Sequence, residues 1–151
     1  MAEDSANLDE TGLPEPFRMA LAHLRANGKT EVRVDAVADN WAYVWLPQLH
    51  FDQSKYPEPE LRGVWGRLPI QFPFANPHGM VTKEPLNPKD GHAVQGHNPN
   101  HDMARPVGSL GGAHYYSWTW GTGPLGEAPA LSAPSDITKV VAWYERRIRL
   151  A

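Results

Sequence analysis

Apolar residues along the chain keep two periods in turn, and the change of period marks the elements. Phe17, Leu21 and Leu24 recur at i, i+4 and i+7, which is one face of a helix. Pro14 and Pro16 suit its first turn, and Asn27-Gly28 supplies a left-handed stop. From Thr30 to Val37 the pattern alternates, with Val32 and Val34 set against Glu31, Arg33 and Asp35, as in a half-buried strand. After a turn signal at Asp39-Asn40, Trp41 to Leu46 is apolar on both faces. That predicts a central strand covered by a helix on one side and loops on the other.

A third strand is expected from Val64 to Phe74, with Val64, Leu68, Ile70, Phe72 and Phe74 on one face. Pro69, on the opposite face, predicts an edge or a bulge there. His114 to Trp120 is short and aromatic, either a last strand or a packed turn. Ser135-Asp136 can cap a closing helix whose apolar stripe is Ile137, Val140, Val141, Tyr144 and Ile148. Arg146, Arg147 and Arg149 fall in its last turn, where they favour the negative end of the dipole. Trp143 lies off that stripe and is expected to mark a partner surface. The order of elements predicts an α+β domain: a helix, an antiparallel meander of three to four strands, a long irregular segment and a final helix.

Composition narrows the setting. Most of the 15 prolines and 13 glycines lie between Pro47 and Pro134, so the middle of the chain is rich in turns. The acidic leader, residues 1–12, reads as a mobile tail before a single domain at 13–151. A net charge of −3 argues against a nucleic-acid partner. No apolar run approaches the roughly 20 residues that span a bilayer, and the polar N-terminus is no signal peptide, so the expected location is cytoplasmic. The chain has no cysteine, which removes disulfides, thiolate metal sites and thiol catalysis together.

The run from Arg67 to Gly79, RLPIQFPFANPHG, is the most informative stretch. Its Phe72-Pro73 followed by Pro77 resembles the end of the third strand and the proline turn of ubiquitin-conjugating enzymes. FPFANPHGMVT, Asp90-Gly91, Tyr116-Ser117-Trp118 and the terminal WYERRI from Trp143 to Ile148 resemble, in that order, the bacterial conjugating-enzyme-like group called prokaryotic family E. The resemblance extends over nearly the whole chain, from about Leu13 to Leu150. It implies the conjugating-enzyme (UBC-like) fold, with an active-site segment lacking regular structure. It also implies a ubiquitin-like protein and an activating-enzyme homologue as partners.

One departure governs the chemistry. In conventional conjugating enzymes a His-Pro-Asn tripeptide precedes the nucleophilic cysteine, and its asparagine steadies the loop or the oxyanion. The nearest counterpart here is Asn98-Pro99-Asn100, flanked by His97 and His101, and Ser109 follows where a cysteine is expected. Ser117, between aromatic residues, is a second candidate hydroxyl. A serine needs a base to remove its proton, and His97, His101 and His114 are available, with Asp102 beside His101. An oxyester at Ser117 or Ser109 would take the place of the thioester, with His101 and Asn100 completing the candidate site. The structural alternatives are a Ser117 hydroxyl bonded to backbone and a Ser109 that belongs to a flexible loop.

No metal or other cofactor is expected. His92, His97 and His101 crowd together, but Pro99 prevents the helix that would align His97 with His101 on one zinc ion. His78 is expected to fix the turn after the third strand. Three functions remain open at this stage. The first is a cysteine-less conjugating-enzyme-like transferase or positioning protein, and the second a non-catalytic relative that binds a ubiquitin-like protein or activating enzyme. The third is an unrelated hydrolase using the histidine-rich loop.

Overall fold

A computed structural model describes residues 10–57, 59–121 and 128–151. Two α-helices, α1 (Glu15–Ala26) and α2 (Ile137–Leu150), stand at the ends of the described chain. Between them run β1 (Arg33–Ala38), β2 (Trp41–His50), β3 (Leu61–Pro69), β4 (His78–Thr82), β5 (His97–Pro99) and β6 (His114–Thr119). All pair antiparallel in one sheet of order β1-β2-β3-β4-β6-β5. The class is α+β, as the periodicity indicates, but the sheet has six strands among the described residues, not three to four.

The extra strands are those whose side chains carry no alternating signal. In β4, Pro77 and Gly79 read as a turn, yet Met80, Val81 and Thr82 pair with Tyr116, Tyr115 and His114. Gly79 is left-handed (φ 85°), and the Tyr115 ring comes within 2.5 Å of where a Cβ would sit, so glycine is required there on both counts. β5 is a three-residue polar edge strand. The third strand is also shorter than expected. It ends at Pro69, beyond its pairing with β4 at Trp65 and Gly66, so the missing N–H leaves no ladder bond unmade. The chain then turns, with Phe72 N donating to Pro69 O and Phe74 N to Gln71 O. That buries Phe72 and leaves Phe74 74% exposed, instead of placing both on one strand face.

β2 runs on to His50 through a register shift at Pro47-Gln48, which spares a ladder the proline could not complete. Its alternation splits the core in two. Ala42, Val44 and Leu46 join Val64, Leu68, Met80 and Tyr116 beneath α1 and α2, where Phe17, Leu21, Val140, Tyr144 and Ile148 pack. Gly66 clears the Tyr144 ring, whose hydroxyl donates to Gly79 O at 2.7 Å and accepts from Arg67 N. Burial of that phenol pushes its pKa up strongly.

Trp41, Tyr43 and Trp45 face the other way, with Trp65, Val81 and Tyr115. A 3-10 segment, Asp102–Leu110, kinked at Val107 after Pro106, lies over them and buries Ala104 and Val107. The same segment takes in Gly108, Ser109 and Leu110 of the stretch expected to be a loop, and Gly111 caps it.

Three smaller expectations change. Of the leader, residues 1–9 lie outside the described residues, while Glu10–Gly12 form a 3-10 turn. Glu10 there pairs with both terminal nitrogens of Arg25, at 3.0 and 2.7 Å. Trp143 is not exposed. It is buried against Trp120 at 5.0 Å and Tyr144 at 5.4 Å, because the Trp120 ring packs over that side of the helix. Asp136 caps the 3-10 turn leading into α2, not α2 itself. Its carboxylate accepts from Ser132 N at 2.8 Å and Ala133 N at 3.0 Å, and those two donors hold its pKa down, to about 2.

Candidate functional site

The residues singled out in the sequence gather at the β5–β6 edge, but on two faces. Along β6, Tyr116 and Trp118 belong to the helix-covered core and Tyr115 to the opposite cluster. Strand alternation therefore puts His114 with Tyr116, and Ser117 with Tyr115. The same pleat divides the histidines. His97 pairs in register with Tyr116 and stacks on its ring at 5.0 Å, with planes 14° apart. His101 stacks on Tyr115 at 5.1 Å. His97 and His101 thus stand on opposite sides of the sheet and share no site.

His97 Nε2 and His114 Nδ1 are 2.8 Å apart, so one ring donates and the other accepts. Burial lowers the His114 pKa, the neighbouring His97 lowers it further, and Glu84 opposes the shift. Burial thus favours the neutral His114 ring, on the face away from Ser117.

On the other face, Ser117 is exposed. Its N–H donates to Gly96 O at 3.1 Å, and its hydroxyl reaches the same carbonyl at 3.5 Å. Asn98 Nδ2 donates there too, at 2.8 Å. Gly96 itself is left-handed (φ 81°), which bends the backbone so that its carbonyl meets these donors. His101 Nδ1 accepts from Met103 N at 3.1 Å and so caps the 3-10 segment. Asn100 takes a left-handed conformation (φ 56°), and its N–H donates to Ala113 O at 2.7 Å. Asn100 thus shapes the exit from β5. Ser109 is exposed near the end of the 3-10 segment. Among the described residues no hydrogen bond joins a histidine ring to Ser109 or Ser117.

Of the remaining histidines, His92 bonds to Asp90 and to Ala151 O. His78 opens β4, and its carbonyl accepts from Arg67 at 3.3 Å, so it is a strand residue and not only the turn anchor expected. Its pKa is lowered by burial and by the nearby Arg67 guanidinium. Among the described residues no group of three or more His, Asp or Glu side chains is placed to hold a metal ion. None of the described helices is long and apolar enough to cross a membrane.

Two buried charges beneath this face were not picked out from the sequence. Asp35 sits at a β1 bulge between Val34 and Ala36, which turns it and Ala36 to the same side. Its carboxylate accepts from Trp65 Nε1 at 2.8 Å and Arg33 Nε at 2.7 Å. Arg67 is 7% exposed and lies 4.0 Å over the Trp41 ring. It donates to Tyr43 Oη at 3.2 Å, and Tyr43 donates in turn to Met103 O at 2.7 Å, which ties the 3-10 segment to the sheet. Alternation sets Asp35 against Val34 and Arg67 against Leu68, on the faces that read as polar, so the pattern carries no signal of their burial.

Comparisons of the chain with protein-family models, with curated proteins and with solved structures give no significant match.

Proposed function

We propose that the chain is a cysteine-less conjugating-enzyme-like protein of a ubiquitin-like modification pathway. In this reading it positions the C-terminus of a ubiquitin-like protein brought by an activating-enzyme homologue, without carrying it covalently. The order of motifs from Phe72-Pro73 to the terminal WYERRI, with a helix at each end of an antiparallel sheet, supports the family part of the reading. One observation carries the non-covalent part: the Ser117 hydroxyl is directed at the Gly96 carbonyl, and no imidazole is bonded to it. A serine without a base is a weak nucleophile.

A second reading is favoured by one feature, the exposure of Ser117 on the face where His101 stacks on Tyr115. In it, the Ser117 oxygen attacks the activated C-terminal carbonyl, His101 accepts the proton and the activating group leaves, giving an oxyester. The histidine-loop hydrolase loses its basis, since His92, His97 and His101 have separate partners.

The test is incubation with activating enzyme, ubiquitin-like protein and ATP. The expected result is partner binding with no covalent adduct on this chain. An adduct that resists thiols, yields to hydroxide and disappears in Ser117→Ala or Ser109→Ala would replace the positioning role with the oxyester.

A further inference from the structure

We infer that the cleft at the far end of the sheet, between the β2–β3 connection and the residues after β4, is a binding site for a small monoanionic ligand with a flat apolar body, an aromatic carboxylate. The cleft encloses about 420 Å³ and is lined chiefly by Trp45, Phe51, Arg62, Lys83, Glu84 and Leu86. That volume falls within the range of roughly 300–1,000 Å³ usual for small-molecule sites. It does not include the Ser117 and His101 face, and the inference stands apart from the ubiquitin-pathway reading.

The apolar walls are held in place. Trp45 lies so close over Gly63 that a Cβ there would meet its ring at 2.1 Å, so the bare glycine lets the indole lie flat on β3. The same ring contacts Trp65 at 4.8 Å, which fixes it from the other neighbour. Phe51 is buried and packs against Tyr56 at 5.4 Å. Leu86 is buried, and its N–H donates to Tyr116 Oη at 2.7 Å, anchoring the third wall.

Each cation of the lining rests on an aromatic ring of the same lining. Lys83 Nζ is 5.0 Å from the Trp45 centroid, and Arg62 Cζ is 4.6 Å from that of Phe51. Arg62 donates to the carbonyls of Pro59 and Pro57, neutral acceptors that orient the guanidinium without cancelling its charge. Neither cation has a carboxylate partner among the described residues. Among the described residues Glu84 is the single carboxylate of the lining, beside the two cations Arg62 and Lys83. Cations set on the aromatic walls of an apolar slot, with no carboxylate partner among the described residues, are complementary to one anionic group on an apolar body.

Isothermal titration with 3-phenylpropanoate, against 3-phenylpropanamide as the uncharged control, tests this on the full chain. The carboxylate should bind, and the amide should bind about tenfold more weakly or worse, the size of one lost charge-assisted hydrogen bond. Lys83→Met, which keeps the apolar stem, should weaken the acid by a similar factor and leave the amide unchanged. Raising the salt concentration should weaken only the acid. As a measurement independent of that variant, the acid should raise the wild-type melting temperature more than the amide does. Equal binding of acid and amide would overturn the inference, as would an unchanged affinity in Lys83→Met or no binding of the acid. Binding of a peptide ending in phenylalanine but not of the free acid would overturn it in favour of a docking groove.

Discussion

On one face of the sheet, α1 and α2 bury Phe17, Leu21, Val140, Tyr144 and Ile148 against Val34 of β1, Val44 of β2, Leu68 of β3, Met80 of β4 and Tyr116 of β6. On the other, a 3-10 segment lays only Ala104, Val107 and the edge of Leu110 over Tyr43, Trp65 and Tyr115. Buried charge occurs on both faces, with Arg147 of α2 lying over the Trp118 ring on the helical side. Asp35 and Arg67 are buried beneath the 3-10 segment, and Ser117, Asn98 and His101 crowd its margin. Apolar area removed from water is the main stabilising term, so the helical face holds the fold together. The opposite face is specified by directional bonds among Asp35, Trp65, Arg67 and Tyr43, which position side chains at some cost in stability. The candidate chemistry lies on that second face.

Mutations should separate the two. Phe17→Ala, which empties a fully buried ring site beside Phe72, should destabilise by about 4 kcal/mol in denaturant unfolding. A loss under about 1 kcal/mol would mean that the helices are not the principal core. Asp35→Ala leaves the buried Trp65 N–H without its acceptor, and about 2 kcal/mol should be lost. The change should register chiefly in the fluorescence and near-ultraviolet dichroism of the tryptophans on that face.

Acid should act through His78 and His114, whose pKa values are both lowered in the fold from 6.5. The folded state prefers these rings neutral. Their contribution is therefore fully present above pH 6.5 and is lost as the pH falls through the lowered values. His114→Gln should flatten the slope of stability against pH below 6.5. An unchanged slope would show that the His97–His114 pair is not coupled to folding. Ser117→Ala should change stability least, by under about 0.5 kcal/mol, since its hydroxyl makes one long bond at an exposed position.

The helical face was readable from the sequence because its signal is periodic: Phe17, Leu21 and Leu24, then Ile137, Val140, Val141, Tyr144 and Ile148, all face inward. The run from Trp41 to Leu46, apolar on both faces, likewise indicated a strand covered on both sides. The opposite face was harder to read, for physical reasons. Its covering segment is two short 3-10 turns kinked at Val107, which bury Ala104, Val107 and part of Leu110 without the α period. Gly111 and Gly112, which suggest a flexible loop, in fact close that segment: Gly111 is left-handed (φ 99°), and a Cβ on Gly112 would meet Val107 at 2.6 Å.

The candidate residues Ser117, Ser109, His101 and Asn100 could be named, but not which side of the sheet each histidine would occupy. That depends on the β5–β6 register, which three polar residues, His97-Asn98-Pro99, do not announce. Trp143 was misplaced because the Trp120 ring packs over it, a tertiary effect invisible to helical spacing.

The most direct test of the division between faces is backbone amide NMR during titration with a ubiquitin-like protein, the proposed partner. Perturbed resonances should cluster at Gly96, Asn98, Asn100, His101, Ser109 and Ser117, with the amides of α1 and α2 unmoved. Perturbations confined to α1 and α2, or none at saturating partner, would contradict the account.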